Sequence, residues 1–391
     1  MVSSEPEKTR FWYNQKVRSI AVQALVLLAI IGFFAFIINN TSQNMKAHGI
    51  ASGFGFLEQT AGFSISQRLI DYEEADSYGR AFWIGLLNTI LISAIGIVFA
   101  TIIGFFIGIA RLSSNWLISR MATTYIEILR NVPLLLQILF WYISVLRALP
   151  RTKQSLSLFD TFFLNVRGLY LPKPIFEEGF TNILYALLAA FVLIIFLTLW
   201  ARKRQELTGQ QFPVFKSSLG LLIVLSLGAA ALSGFPMTWD YAVLKGFNFR
   251  GGLRVMPEFV AMLFALSLYT AAFIGEIVRA GIMAVSKGQT EASYALGLHP
   301  GQTLRLVVIP QALRVIVPPL TSQYLNLTKN SSLAVAIAYP DLVHVFAGTA
   351  LMQTGQAVEI LGITMACYLS LSLFISLLMN WYNQAIALKE K

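Results

Sequence analysis

Runs of about 20 apolar residues, long enough to cross a bilayer hydrocarbon core as helices, recur along this chain and restrict its fold more than any other feature. Eight such spans are predicted: Ile20–Ile38, Phe82–Ala110, Val132–Leu149, Asn182–Ala201, Ser217–Gly234, Phe259–Val285, Leu304–Leu327 and Val358–Trp381. In lipid a backbone must satisfy its own hydrogen bonds, so apolar runs of this length become helices. Composition agrees: 56% of residues are hydrophobic, 12% are charged and the mean hydropathy is +0.67. A soluble domain carries about 25% charged residues. The expected class is an all-α polytopic membrane protein.

The formal net charge of +10 does not point to nucleic acid, because the basic residues border the apolar runs. Lys8, Arg10, Lys16 and Arg18 precede the first span; Arg111, Arg120 and Arg130 follow the second; Arg202, Lys203 and Arg204 follow the fourth. This is the pattern of positive-inside anchoring. It predicts cytoplasmic N- and C-termini, the latter with Lys389 and Lys391, and puts the acidic loop Asn39–Arg80 outside. One cluster runs against the rule: Arg147, Arg151, Lys153, Arg167 and Lys173 fall outside in the same scheme. The segment after Ile38, Asn39-Asn40-Thr41, lacks the small residues of a cleavage site, so the first span is expected to be a retained anchor.

Between the sixth and seventh spans lies a polar segment punctuated by turns, Ser286–Pro310. Gln289–Leu296 reads as a short helix with Glu291 near its N-terminus, Gly297 as C-terminal cap and His299-Pro300-Gly301 as a turn. Glu291-Ala292-Ser293, Gly297, and then Val307, Ile309 and Pro310 are spaced as in the EAA loop of binding-protein-dependent ABC importers. Further words resemble the polar amino-acid importer permeases: Gly85–Ser113, Tyr125–Tyr142, Leu268–Ile282 and Pro310–Ala334. The extended N-terminus and the stretch from about Pro150 to Pro257 resemble the larger permease subunit of general L-amino-acid importers. Ser293 in place of Ala, and Val307 and Ile309 in place of Ile and Leu, are conservative departures.

The resemblance implies a type I ABC importer permease of the MetI-like kind, a five-helix core with roughly three extra membrane helices. Four regions are expected: 1–80 with the N-terminus, first span and outer loop; 81–149, the first part of the core; 150–257, an insert with two extra spans; and 258–391, the second part with the coupling loop. It implies ATPase coupling through Glu291, Ala292, Ser293, Gly297, Val307, Ile309 and Pro310. The implied partners are two copies of an ATP-binding subunit, a second and non-identical permease, and a periplasmic amino-acid-binding protein, in the bacterial inner membrane.

Other residues are candidates on chemical grounds. Lys329-Asn330-Ser331-Ser332 interrupts an apolar run and offers a cation, an amide and two hydroxyls, either as a substrate path or as a plain helix cap. Glu276 and Arg279 stand three residues apart on one helical face, a placement suited to gating or structural support. Arg130 and Pro133 open the third span, with Pro133 setting its first turn. Pro318-Pro319 is expected to bend the seventh span. Single Cys367 excludes an intrachain disulfide, and His48, His299 and His344 are too scattered for a metal site. With no phosphate-binding loop and no nucleophile–base pair, the chain reads as a passive translocation subunit without cofactor. A self-sufficient secondary transporter or channel is the alternative; it predicts buried acids in the spans and two related halves.

Overall fold

The computed structural model describes residues 15–47 and 52–386, so Lys8, Arg10, His48, Lys389 and Lys391 lie outside the described residues. Among the described residues, seven helices are long and apolar enough to cross a membrane, and a bent helix pair makes an eighth candidate. They are α1 (Gln15–Ala47), α2 (Tyr78–Arg111), α5 (Phe180–Thr208), α6 (Val214–Leu232), α7 (Pro257–Met283), α10 (Ile309–Asn330, extended by a π-helical turn before it and a 3₁₀ segment after it) and α12 (Ala357–Ile386).

The bent pair corrects the expected third span. Between α2 and that span lies an amphipathic helix, α3 (Trp116–Asn131). The chain then turns by 105° into α4 (Leu134–Leu139), which continues as a π-helical turn to Leu146. Pro133 sits just before α4 with extended backbone (φ −55°, ψ 135°), so it caps the helix rather than lying in its first turn. Proline also disfavours helical geometry in the residue before it, which places the bend here.

The chain divides into two units, Met1–Ser119 with Phe273–Lys391, and Arg120–Ala272. In the first unit, α2 carries a buried stripe of mostly small residues, Gly85, Thr89, Ser93, Gly96, Ala100, Gly104 and Gly108. Spacing of about four residues puts them on one face, and their size lets neighbouring backbones approach closely. The Leu327 side chain lies against Gly96, and the α7 backbone at Gly275 against Gly108. Ser77 caps the helix, its Oγ accepting from Arg80 N–H at 3.3 Å. The loop before α2 packs Phe56, Ile65 and Tyr72 against Val345 and Phe346 of the π-helical turn Val343–Ala350. A short α11 (Leu351–Thr354) joins that turn to α12.

The second unit holds eight short strands that the sequence reading did not anticipate. They are β1 (Leu156–Leu158), β2 (Phe162–Asn165), β3 (Gly168–Leu171), β4 (Lys173–Phe176), β5 (Met237–Asp240), β6 (Val243–Lys245), β7 (Asn248–Arg250) and β8 (Leu253–Val255). The α5–α6 hairpin separates the first four from the last four. An antiparallel sheet in the order β1-β2-β3-β8 reunites them, with Leu169 opposite Val255. Its small core stacks Phe249 on Phe163 (4.6 Å between centroids) and Tyr170 (4.8 Å).

Candidate functional site

The polar segment between α7 and α10 folds as a compact unit. Ser286 Oγ accepts from Gly288 N–H at 3.3 Å and starts α8 (Lys287–Ala295). The helix begins two residues before the expected start, so Glu291 stands in its second turn, where the dipole's effect has faded. Gly297, at φ +80°, ends it in the left-handed region that favours glycine. His299 then caps α9 (Pro300–Thr303), its N–H donating to Gln302 Oε1 at 3.1 Å.

Ser293, at the position where the resemblance leads one to expect Ala, is buried and has work for its hydroxyl. It donates to Thr290 O (2.7 Å) and meets Thr303 Oγ1 at 3.0 Å, joining α8 to α9. Gln311 Nε2 donates to Gln289 Oε1 at 3.2 Å and ties α10 to the same helix. Glu291, Ala292 and Gly297 are exposed, as are Tyr294 and Leu296, the last at 82%. Val307 lies in a π-helical turn (Leu304–Val308), Ile309 opens α10 and Pro310 follows in its first turn.

Near the other end of this segment, Glu276 carries more than the expected partner. Arg279 Nη2 approaches it at 2.5 Å, and Arg111 at the last turn of α2 pairs with its second oxygen. All three are about a quarter exposed. The bridge from α2 was not readable from the sequence, where Arg111 counted only as a boundary charge. Arg130 ends α3 in the second unit, away in sequence from this cluster, and Pro133 follows at the bend.

Lys329-Asn330-Ser331-Ser332 is not an unwound turn. The helix α10 runs through Asn330 and tightens into a 3₁₀ segment, Ser331–Ile337. Both hydroxyls turn back on the helix: Ser331 Oγ donates to Thr328 O and Ser332 Oγ to Lys329 O, each at 2.7 Å. Lys329 and Ser332 line a cavity of about 420 Å³ with Thr364, Tyr368 and Ser372 from α12. Pro318 and Pro319 both lie inside α10, whose helical turns continue past them.

Beyond that segment lies a polar knot the sequence reading missed. Asp341 is fully buried; its carboxylate accepts from His344 N–H (2.8 Å) and from Tyr368 OH (3.4 Å). Burial pushes its pKa from 3.8 up to about 7, against the pull of the His344 and Val343 backbone hydrogen bonds. From α2, Asn88 Nδ2 donates to Pro340 O (2.8 Å) and Thr89 Oγ1 accepts from Leu342 N–H (3.0 Å). The signal was the polar pair Asn88-Thr89 inside an apolar span, since polar groups there need internal partners.

A family model described as binding-protein-dependent transport system inner membrane component matches residues 96–389. The chain is 53% identical over 378 residues to the permease protein YhdX of Escherichia coli (strain K12), covering 97% of this chain and 96% of that one. It is 52% identical over 379 residues to the general L-amino acid transport system permease protein AapQ of Rhizobium johnstonii (97% and 94% covered). It is 42% identical over 426 residues to the glutamate/glutamine/aspartate/asparagine transport system permease protein BztB of Rhodobacter capsulatus (100% of both). Among solved structures, an amino acid ABC transporter with histidines aligns at 21% identity and a TM-score of 0.47, over 79% of this chain and 95% of that one. The chain belongs to the family of binding-protein-dependent transport system inner membrane components. It is a multi-pass membrane protein and an ABC transporter permease, and the self-sufficient transporter or channel gives way to that reading.

Proposed function

We propose that this chain is the translocation subunit of an ABC importer that takes up L-amino acids, driven by ATP hydrolysed on a separate subunit. The observation that carries this is end-to-end similarity, 52% and 42%, to permeases named for general L-amino-acid transport and for glutamate, glutamine, aspartate and asparagine transport. The complex holds two ATP-binding subunits, a second, non-identical permease and an amino-acid-binding protein outside the membrane. The core comprises 81–149 and 258–391, the insert 150–257, and the segment Ser286–Pro310 lies on the cytoplasmic side with both termini.

In this reading α8 is the lever. It is short, capped at both ends and tied to α9 and α10 by Ser293–Thr303 and Gln289–Gln311. A helix held this way passes on a displacement where a loose loop would absorb it. Its exposed Tyr294 and Leu296 supply apolar contact area, and Glu291 a charge for a basic partner. Lys329 and Ser332 are the substrate-path residues, with the cavity beside them open to the cationic head of Lys329.

The test is purification of the tagged chain in mild detergent with its partners co-expressed. Wild type is expected to retain an ATP-hydrolysing subunit, and Glu291→Lys and Gly297→Asp to lose it. Labelled amino acids moving into liposomes containing this chain alone, without ATP, would overturn the reading.

A further inference from the structure

The basic cluster that contradicts the charge rule has a structural destination. Arg151, Lys153 and Arg167 all line one cavity of about 730 Å³, together with Leu149, Pro150 and Phe247. It lies wholly within the second unit. None of its lining residues is acidic, and none of the three cations forms an ion pair among the described residues. A carboxylate, Asp160, lines a neighbouring cavity that shares Thr152 and Lys153. Like charges gathered without counter-charges repel, and a concave site lined by one sign of charge concentrates the opposite sign.

Position along the chain narrows the ligand. Leu149 and Pro150 stand three and four residues past Leu146, where the bent candidate span ends, so the cavity adjoins the end of a candidate membrane span. Its wall is half apolar in character: Phe247 is 78% exposed, and the Lys153 ammonium sits 4.3 Å from its ring centroid. That cation–π contact fixes one positive group at the rim. Cations around an apolar wall beside the end of a candidate span match a phosphate flanked by glycerol and acyl chain.

We infer that the strand-rich part of the insert binds a phosphate group through Arg151, Lys153 and Arg167, supplied by an anionic phospholipid headgroup. The basic residues then stand against the positive-inside pattern because they hold a lipid anion rather than set orientation. The inference does not depend on the transported substrate. Free inorganic phosphate has the same chemistry and is the alternative source.

The experiment is native mass spectrometry of the full-length chain in mild detergent, titrated with phosphatidylglycerol, phosphatidylcholine or inorganic phosphate. Wild type is expected to retain phosphatidylglycerol at least tenfold better than phosphatidylcholine. Arg151→Gln/Lys153→Gln/Arg167→Gln should lose that preference, since each cation near an anionic surface is worth roughly a fivefold change in binding. Arg151→Lys/Lys153→Arg/Arg167→Lys should keep it, which separates lost charge from lost folding. Arg202→Gln/Lys203→Gln/Arg204→Gln removes equal charge elsewhere and should also keep it. Displacement of the lipid by millimolar phosphate supports the phosphate assignment, and phosphate bound in lipid-free samples identifies the free ion as the source. Equal retention of the two lipids by wild type, an unchanged triple Gln variant, or failure of phosphate to compete would overturn the proposal.

Discussion

Gly108 is a position in α2 where one added methyl group should be costly. A Cβ built there would lie 2.6 Å from the Gly275 carbonyl oxygen and 2.7 and 2.8 Å from Val278 Cβ and Cγ1. Comfortable carbon contacts need about 3.5–4.0 Å, so α2 and α7 must part locally by about 1 Å, and the obstacle is backbone and a β-branched stem rather than a mobile side-chain tip. Overpacking of this kind costs about 1–3 kcal/mol. Alanine's better helix propensity is worth about 1 kcal/mol in water, but a span that stays helical in lipid even when its neighbours separate recovers little of that. The net expectation for Gly108→Ala is a loss of about 1–2 kcal/mol. Gly275→Ala meets Ile107 Cγ2 at 3.3 Å and the Gly104 carbonyl oxygen and Gly108 nitrogen at 3.4 Å, all ordinary or near-ordinary contacts, and should cost less; Gly32→Ala, with nothing within 4 Å, should be neutral. The assay is the temperature at which half of a fluorescent fusion of the full-length chain leaves the monodisperse peak in detergent. Gly108→Ala should fall by at least about 2–4 °C, the response of a medium-sized domain to 1 kcal/mol. A Gly108→Ala protein melting level with Gly32→Ala and wild type would refute the reasoning, because it would mean the helices have slack at their closest approach.

Three further outcomes follow from other contacts. Ser293→Ala should cost about 1 kcal/mol by leaving buried Thr303 without its partner, and a double-mutant cycle with Thr303→Val should show the two losses coupled rather than additive. Glu276→Gln should lower both melting temperature and ATP-driven uptake more than Glu276→Asp, since it leaves the Arg111 and Arg279 cations close together without the carboxylate between them; equal behaviour of the two variants would count against it. Asp341 has a folded pKa raised from 3.8 to about 7 by burial, so between these values the folded state holds the proton more tightly than the unfolded chain. Its contribution to stability therefore falls as pH rises from about 4 to 7 and is flat above that. Asp341→Asn keeps an Oδ1 acceptor for His344 N–H and should remove that slope. A melting profile with the same slope in both proteins would dispose of the assignment.

The spans were legible because a bilayer-crossing helix is written locally, in about 20 consecutive residues. So was the end of α8, where Gly297 supplies the left-handed cap. The strands were not legible, since each spans three or four residues, too few for an alternating pattern to stand out. Their pairing is also distant: Leu169 finds Val255 across the whole α5–α6 hairpin. Helix α3 was not marked as a helix because Arg120, Glu127 and Arg130 mask an apolar face that buries Ala122 and Ile126. The Arg111–Glu276 pair spans 165 residues, and no local pattern marks such a contact.

These distant contacts give α2 a particular mechanical character. It is one helix of 34 residues without proline or break, about 50 Å long at 1.5 Å per residue. At one end Gly108 and Arg111 hold it to α7, a few residues before the chain enters α8. Toward the other, Asn88 and Thr89 hold the segment Pro340–Leu342, which leads into the turn Val343–Ala350. A helix bends gently over such a length but kinks sharply only at a defined defect, and the stripe from Gly85 to Gly108 is packed rather than open. Displacement of α7 beside Gly108 must therefore either break the close glycine contact or carry α2 with it. Carrying α2 shifts Asn88 and Thr89, and with them the backbone around buried Asp341. The two ends of this unit are joined by a rod whose grips are a glycine contact and an ion pair at one end and three polar hydrogen bonds, including Asn88 to Gln67 O at 2.9 Å, at the other.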